Sequence, residues 1–161
     1  MLRRAFCLLT CGVFAAAFAG AASPVSAKGP TLIRLTSFTT STRVSDVSPQ
    51  GASPGDKVFE TSRLTNVVPQ FGMAKGAVVG HDRGTTVVLG PLSQRLDATT
   101  TLPGGTLRVK GLARIRADGA MITLIYPVVG GTGRFAGAKG TLTTIGTAGA
   151  RTATNTYNLR Y

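Results

Sequence analysis

The strongest constraint on this chain is its punctuation. From Lys28 onward glycine and proline recur every few residues, and the runs between them are short and rich in Thr and Val. A helix needs roughly 10–12 residues of sustained 3.6-residue periodicity, and no such stretch follows residue 27. Strands need only about 4–8 residues bounded by turn formers. The runs at 31–47, 56–67, 75–81, 85–89, 92–101, 106–116, 121–128, 141–147 and 152–161 meet that description. Turn signals separate them at Asp82-Arg83-Gly84, Gly90-Pro91, Pro103-Gly104-Gly105, Ala117-Asp118-Gly119 and Thr147-Ala148-Gly149. About eight short strands joined by tight turns predict an all-β antiparallel sandwich or closed barrel.

One run shows how such a strand sits. Between Thr106 and Arg116 the odd positions are Leu107, Val109, Gly111, Ala113 and Ile115, and the even ones are Arg108, Lys110, Leu112, Arg114 and Arg116. A two-residue period sends the apolar set to one face and four cations to the other. The cationic face is read either as ordinary solvated surface or as a basic stripe for an anionic partner.

Residues 1–27 read differently from the rest. Arg3 and Arg4 precede an apolar run, and Val25-Ser26-Ala27 closes it with small residues, the three-part pattern of a secretory signal peptide cut after Ala27. The expected product is secreted or lodged in the cell envelope, with no membrane span after cleavage. Both cysteines, Cys7 and Cys11, fall inside this leader. The mature chain therefore carries no disulfide and no thiolate chemistry. Its 134 or so residues suffice for one domain with a real core, divided as an N-terminal strand and Pro/Gly/Ser loop at 28–54 and a core at 55–161. Removing Arg3 and Arg4 leaves 16 basic against 6 acidic residues, a net charge of +10. That excess suits an anionic surface or an acidic polysaccharide. The cations are dispersed and aromatic residues make up only 6% of the chain, so no nucleic-acid platform is expected.

The stretch VVGGTGRFAGAKG at 128–140 contains Gly131-x-Gly133-x-x-Ala136 after the apolar run ITLIYPVV, as a dinucleotide-binding finger does. A finger needs a following helix and an acid about 20 residues on. Here GTLTTIGTAG follows, and no Asp or Glu occurs beyond Asp118. A phosphate-cradling loop fails as well, since Lys139 is followed by Gly140 rather than by Ser or Thr.

The same stretch resembles the signature of the dirigent proteins, V-V-G-G-T-G-x-F-x-x-A-x-G, with Phe135, Ala138 and Gly140 in place, and Gly137-Ala138 is similar to the variant found in the related allene oxide cyclases. Weaker similarity extends upstream through Gly55-Asp56, Leu64, Gly72, Gly76 and Gly105, and through Leu107-x-Val109-x-Gly111. The resemblance implies an eight-stranded antiparallel β-barrel of the lipocalin-like kind, often a homotrimer, with a lumen for small hydrophobic molecules. It gives Gly130, Gly131, Gly133, Phe135 and Gly140 a structural part, the glycines permitting positive φ and close strand approach. It places Ser62 where the cyclases carry Asn and Val78 where they carry Cys. No carboxylate stands in the first strand between Ile33 and Val44. The acid that plant dirigents carry after the glycines is Arg134 here, while their base five positions on is retained as Lys139.

Candidate site residues follow. Strand parity places Val58, Glu60, Ser62 and Leu64 on one inward face, where a carboxylate in apolar surroundings would have a raised pKa and could act as an acid. Glu60 and Lys139 are the catalytic candidates, and Glu60, Ser62, Val78 and Lys139 the ligand-binding ones. His81 beside Asp82 is the only histidine; it is placed at a turn, and with so few other ligands no metal site and no cofactor are expected. Three readings stay open: a dirigent-like module holding a hydrophobic or phenolic ligand, a cofactor-free isomerase or cyclase working through Glu60 or Lys139, and a cationic cell-envelope protein. Binding leads catalysis among them.

Overall fold

A computed structural model of the chain describes residues 28–47, 50–51 and 53–161. The expected leader at 1–27, with both cysteines, lies outside the described residues. Nine strands follow one another: β1 Leu32–Ser45, β2 Lys57–Asn66, β3 Val78–Gly90, β4 Ser93–Leu102, β5 Gly105–Leu112, β6 Arg114–Asp118, β7 Met121–Gly131, β8 Lys139–Thr147 and β9 Thr152–Arg160. All pairings between them are antiparallel, in the order β5-β4-β3-β2-β1-β9-β8-β7-β6, and an additional pairing of β5 with β7 closes the sheet on itself. β5 and β6 are one bent strand interrupted at Ala113, so the molecule is an eight-stranded antiparallel barrel. Closure leaves no long edge strand to aggregate.

Alternation then decides what fills it. Leu107 and Val109 on β5 are fully buried while Arg108 and Lys110 are exposed, as the two-residue period requires. Arg108 Nη2 and Lys110 Nζ reach Asp97 Oδ2 on neighbouring β4 at 3.3 and 3.1 Å, a surface cluster of small energetic weight.

The inward residues divide the barrel into two halves along its axis. One half is solid. Ile33, Leu35, Leu64, Leu107, Val109 and Tyr157 are all fully buried there, each contributing about 1.5–3 kcal/mol by leaving water. Its end is sealed by a 3₁₀ turn, Gly133–Phe135, between β7 and β8. Phe135 from this turn is fully buried and meets the Phe71 ring edge-on, with centroids 6.5 Å apart. Arg134 N donates to Gly104 O at 2.9 Å, Thr132 N donates to Thr106 O at 2.9 Å, and Gly29 N donates to Arg134 O at 2.6 Å. The turn is thereby tied to the β4–β5 hairpin and to the segment preceding β1.

The signature glycines serve this seal. Gly133 has φ +59, and a Cβ there would run into the carbonyl of Gly104. Gly131 is extended, but a Cβ on it would lie 2.5 Å from Thr106 O and 2.6 Å from Phe135 O. Gly140 abuts the carbonyl of Asn158, whereas Gly130 faces open space. The close approach is thus needed at three of the four.

One expected turn is absent. Asp82-Arg83-Gly84 lies in the middle of β3, which runs unbroken from Val78 to Gly90, so His81 is a strand residue exposed on the outer face and paired with Arg63 on β2 and Thr101 on β4. Gly84 is there for spacing and not for turning. A Cβ on it would sit 2.9 Å from the Ala98 Cβ and 3.2 Å from Leu96 Cδ1.

Candidate functional site

The other half of the barrel is hollow. A cavity of about 370 Å³ opens at the end where the β1–β2, β3–β4, β6–β7 and β8–β9 connections lie, and Ala148, Gly149 and Ala150 of the last of these form part of its rim. Every strand except β5 and β6 contributes to its wall. Leu96, Ile122, Leu124, Val58 and Leu142 supply apolar surface, and Glu60, Ser62, Asp82, Gln94, Tyr126, Thr144 and Asn155 supply polar groups. The volume falls in the range of small-molecule sites.

β2 and β3 carry the carboxyls. Glu60 pairs with Gly84 and Ser62 with Asp82, so the two acids are diagonal neighbours on one inward face, about 7–8 Å apart at the backbone. Asp82 is held near the floor of the cavity. Burial pushes its carboxyl up to about 6, the negative charge of Glu60 adds to the rise, and hydrogen bonds from Ser62 and the charge of His81 oppose it. Glu60 stands nearer the mouth and stays open to solvent, yet the surrounding protein also raises its pKa. None of the residues lining the cavity is Lys, Arg or His.

The rest of the wall, on β4, β7, β8 and β9, carries hydroxyls and amides. Gln94 Nε2 donates to the Tyr126 hydroxyl in a short hydrogen bond that reaches from β4 to β7 across β5. Burial raises the Tyr126 phenol, with the Gln94 hydrogen bond opposing. Thr144 Oγ1 donates to Asn155 Oδ1 at 2.8 Å. Beneath them the hydroxyls of Thr100 and Tyr157 are 2.8 Å apart, and complete burial drives the Tyr157 phenol far up. This polar pair marks the boundary between the hollow half and the solid one.

The sequence-predicted residues separate on this map. Glu60 and Ser62 line the cavity with Val58, and Leu64 lies one step deeper in the core. Val78 does not reach the lumen. It is 54% exposed, while its neighbour Val79 is buried, because the register shifts by one between Leu64 and Thr65 and inverts the parity of the first residues of β3. Lys139 is likewise outside: it is exposed at the sealed end and donates to the carbonyl of Val129. Arg134 lies at that end too, its guanidinium 6.0 Å from the centre of the Phe71 ring. Asp82, Gln94, Tyr126 and Asn155 were missed. For Tyr126 the signal was available, since Ile122, Leu124, Tyr126 and Val128 share one parity on β7. His81 joins no group of metal-ligating side chains among the described residues.

Neither a protein-family model nor a curated protein matches this chain. Solved structures do. Pyocyanin demethylase superposes on 80% of this chain and 99% of its own with a TM-score of 0.63 at 21% identity. The Diels Alderase AbmU from Streptomyces koyangensis matches 80% of this chain and 63% of its own, with a TM-score of 0.57 at 23% identity. The pterocarpan synthase dirigent protein GePTS1 matches 80% and 82%, with a TM-score of 0.58 at 17% identity. At such identities the likeness speaks to fold, and the fold is the closed eight-stranded barrel shared by dirigent-like and cyclase-like proteins.

Proposed function

We propose that this is a secreted barrel that binds a small hydrophobic or phenolic molecule in its lumen and guides the coupling or cyclisation of that molecule. The observation that carries the reading is the half-empty barrel: a walled, ligand-sized cavity of about 370 Å³ with apolar sides and a few convergent polar groups. The neighbouring barrels support it, being a demethylase, a Diels Alderase and a pterocarpan synthase by name. Export rests on the leader at residues 1–27.

Guidance works through confinement. A flexible substrate folded against Leu96, Ile122 and Leu124 has already lost the orientational freedom that a ring closure must remove. Asp82 supports a further step, because a carboxyl titrating at about 6 can give up or take back a proton near neutral pH. That step belongs to a cofactor-free isomerase or cyclase, and Asp82 suits it better than Lys139, which lies outside the cavity. In the dirigent mode the cavity alone does the work and the carboxyl only orients a phenolic hydroxyl.

Native mass spectrometry of protein purified from its host tests the reading. We expect a small organic molecule to co-purify with the parent and to be absent from Ala153→Phe, whose ring fills the lumen from β9. An empty parent, or equal retention by the two proteins, counts against a lumenal ligand and favours the cationic envelope protein.

A further inference from the structure

The placement of the acids carries a statement about which ligand the lumen takes. There are only 6 acidic residues in the chain. Asp97 is paired outside with Arg108 and Lys110. Asp56 accepts hydrogen bonds from Val47 N and Ser53 N and so ties the β1–β2 connection, Asp46 accepts from Gly51 N, and Asp118 is exposed at the β6–β7 turn. Glu60 and Asp82 remain, and both face the cavity, whose lining holds no Lys, Arg or His. Cations stand close by in sequence. Arg63 and Arg83 are adjacent to Ser62 and Asp82 on the same strands, and alternation keeps both on the outer face. Two unneutralised carboxyls in a walled cavity are costly to the fold, and a one-residue difference in pattern would have removed the cost.

A second observation comes from β9 and β7. Asn155 is 4% exposed and lines the cavity; its Oδ1 is taken by Thr144, and its Nδ2 donates to no group among the described residues. The Tyr126 oxygen already accepts from Gln94, which leaves its own proton free to donate. The lumen therefore offers negative charge from β2 and β3, two unused donors from β7 and β9, and apolar surface from Val58, Leu96, Ile122, Leu124 and Leu142.

We propose that the lumen selects an organic cation with a flat apolar body: a protonated amine or heteroaromatic nitrogen set against Glu60 and Asp82, and a hydrogen-bond acceptor at the opposite end reaching Asn155 Nδ2 and the Tyr126 hydroxyl. This rests on the lumen being the binding site. The outward cations act through solvent and are screened beyond about 8–10 Å. A bound cation favours ionised carboxyls, so its affinity is full above about pH 6, where Asp82 is ionised, and falls below that value as Asp82 takes up a proton. The titratable groups facing Asp82 are Glu60 from β2 and Tyr157 from β9, with His81 on the outer side of its own strand, while Tyr126 on β7 feels the charge of Glu60; β4 brings only Ala98 and Thr100.

The test uses two fluorescent tricyclic probes of nearly equal shape, cationic N-methylacridinium and neutral N-methylacridone, titrated between pH 5 and 8. We expect the cation to bind about tenfold or more tightly than the neutral probe at pH 8, the difference expected of a pair of half-buried charges, and to lose affinity below pH 6. Glu60→Gln/Asp82→Asn, whose side chains keep their shape, should abolish the preference. Equal or tighter binding of the acridone, or a cation affinity untouched by the double variant, overturns the inference while leaving a lumenal site in place. Should the double variant not fold, the preference and pH profile of the parent decide. If neither probe binds the parent, the lumenal reading falls together with this one.

Discussion

Asp82 is the residue where sequence and structure disagree with most consequence. Its ordinary carboxyl value of 3.8 is raised to about 6 in the folded barrel, chiefly by burial. An acid raised on folding favours the native state while protonated, so its favourable contribution is complete below pH 3.8 and is lost as pH climbs through about 6. Asp82→Asn should therefore melt higher than the parent at pH 8 and no higher at pH 4, as thermal melts followed by circular dichroism at the two pH values would show. An equal gain at both would mean that the carboxyl is not strained by its surroundings. Asp82 was hidden because Asp-Arg-Gly is a strong turn signal in any local reading. What overrides it is tertiary: Glu60 and Ser62 on β2 recruit residues 82 and 84 as ladder partners, and Gly84 is small because Ala98 and Leu96 crowd it from β4. Local propensity holds no record of such a neighbour.

The β7–β8 connection makes a sharper experiment at the scale of an element. Gly133→Val forces a branched side chain into φ +59 and against the Gly104 carbonyl, at a cost of about 1–3 kcal/mol from backbone strain alone. Gly130→Val, three residues earlier in the same signature, meets open space and should change stability by less than about 0.5 kcal/mol. Urea unfolding of the pair separates a sealing element from a ligand-binding one, and neither NAD nor ATP should raise the melting temperature of the parent. Phe135→Ala removes the plug itself and should cost about 3–5 kcal/mol. This element was legible because a seal depends on residues adjacent in the chain, and so was the inward run Val58-Glu60-Ser62-Leu64, where period two holds without interruption. Val78 was misplaced by a single register shift, which no pattern in β3 announces. Asn155 and Gln94 were invisible for another reason: each matters through a partner, Thr144 or Tyr126, brought near only by the pairing of strands.

For the whole molecule, the proposed leader and the lack of cysteine after Cys11 give one joint expectation. Edman sequencing of exported protein should begin at Lys28, and the melting temperature of that protein should be indifferent to dithiothreitol; a product that starts at Met1, or a reductant-sensitive melt, contradicts the assignment. The solid end of the barrel has a wider consequence. The packed core and the cavity occupy opposite poles, so most residues that hold the staves together are not those that line the cavity. Leu96, Leu124 and Ala153 turn part of their surface to the cavity and tolerate exchange there, whereas Gly131, Gly133 and Phe135 are hemmed in by backbone or fully buried and do not. Descent can be read from the sealed pole long after the hollow pole has changed its chemistry, and two chains with the same glycine signature need have no substrate in common.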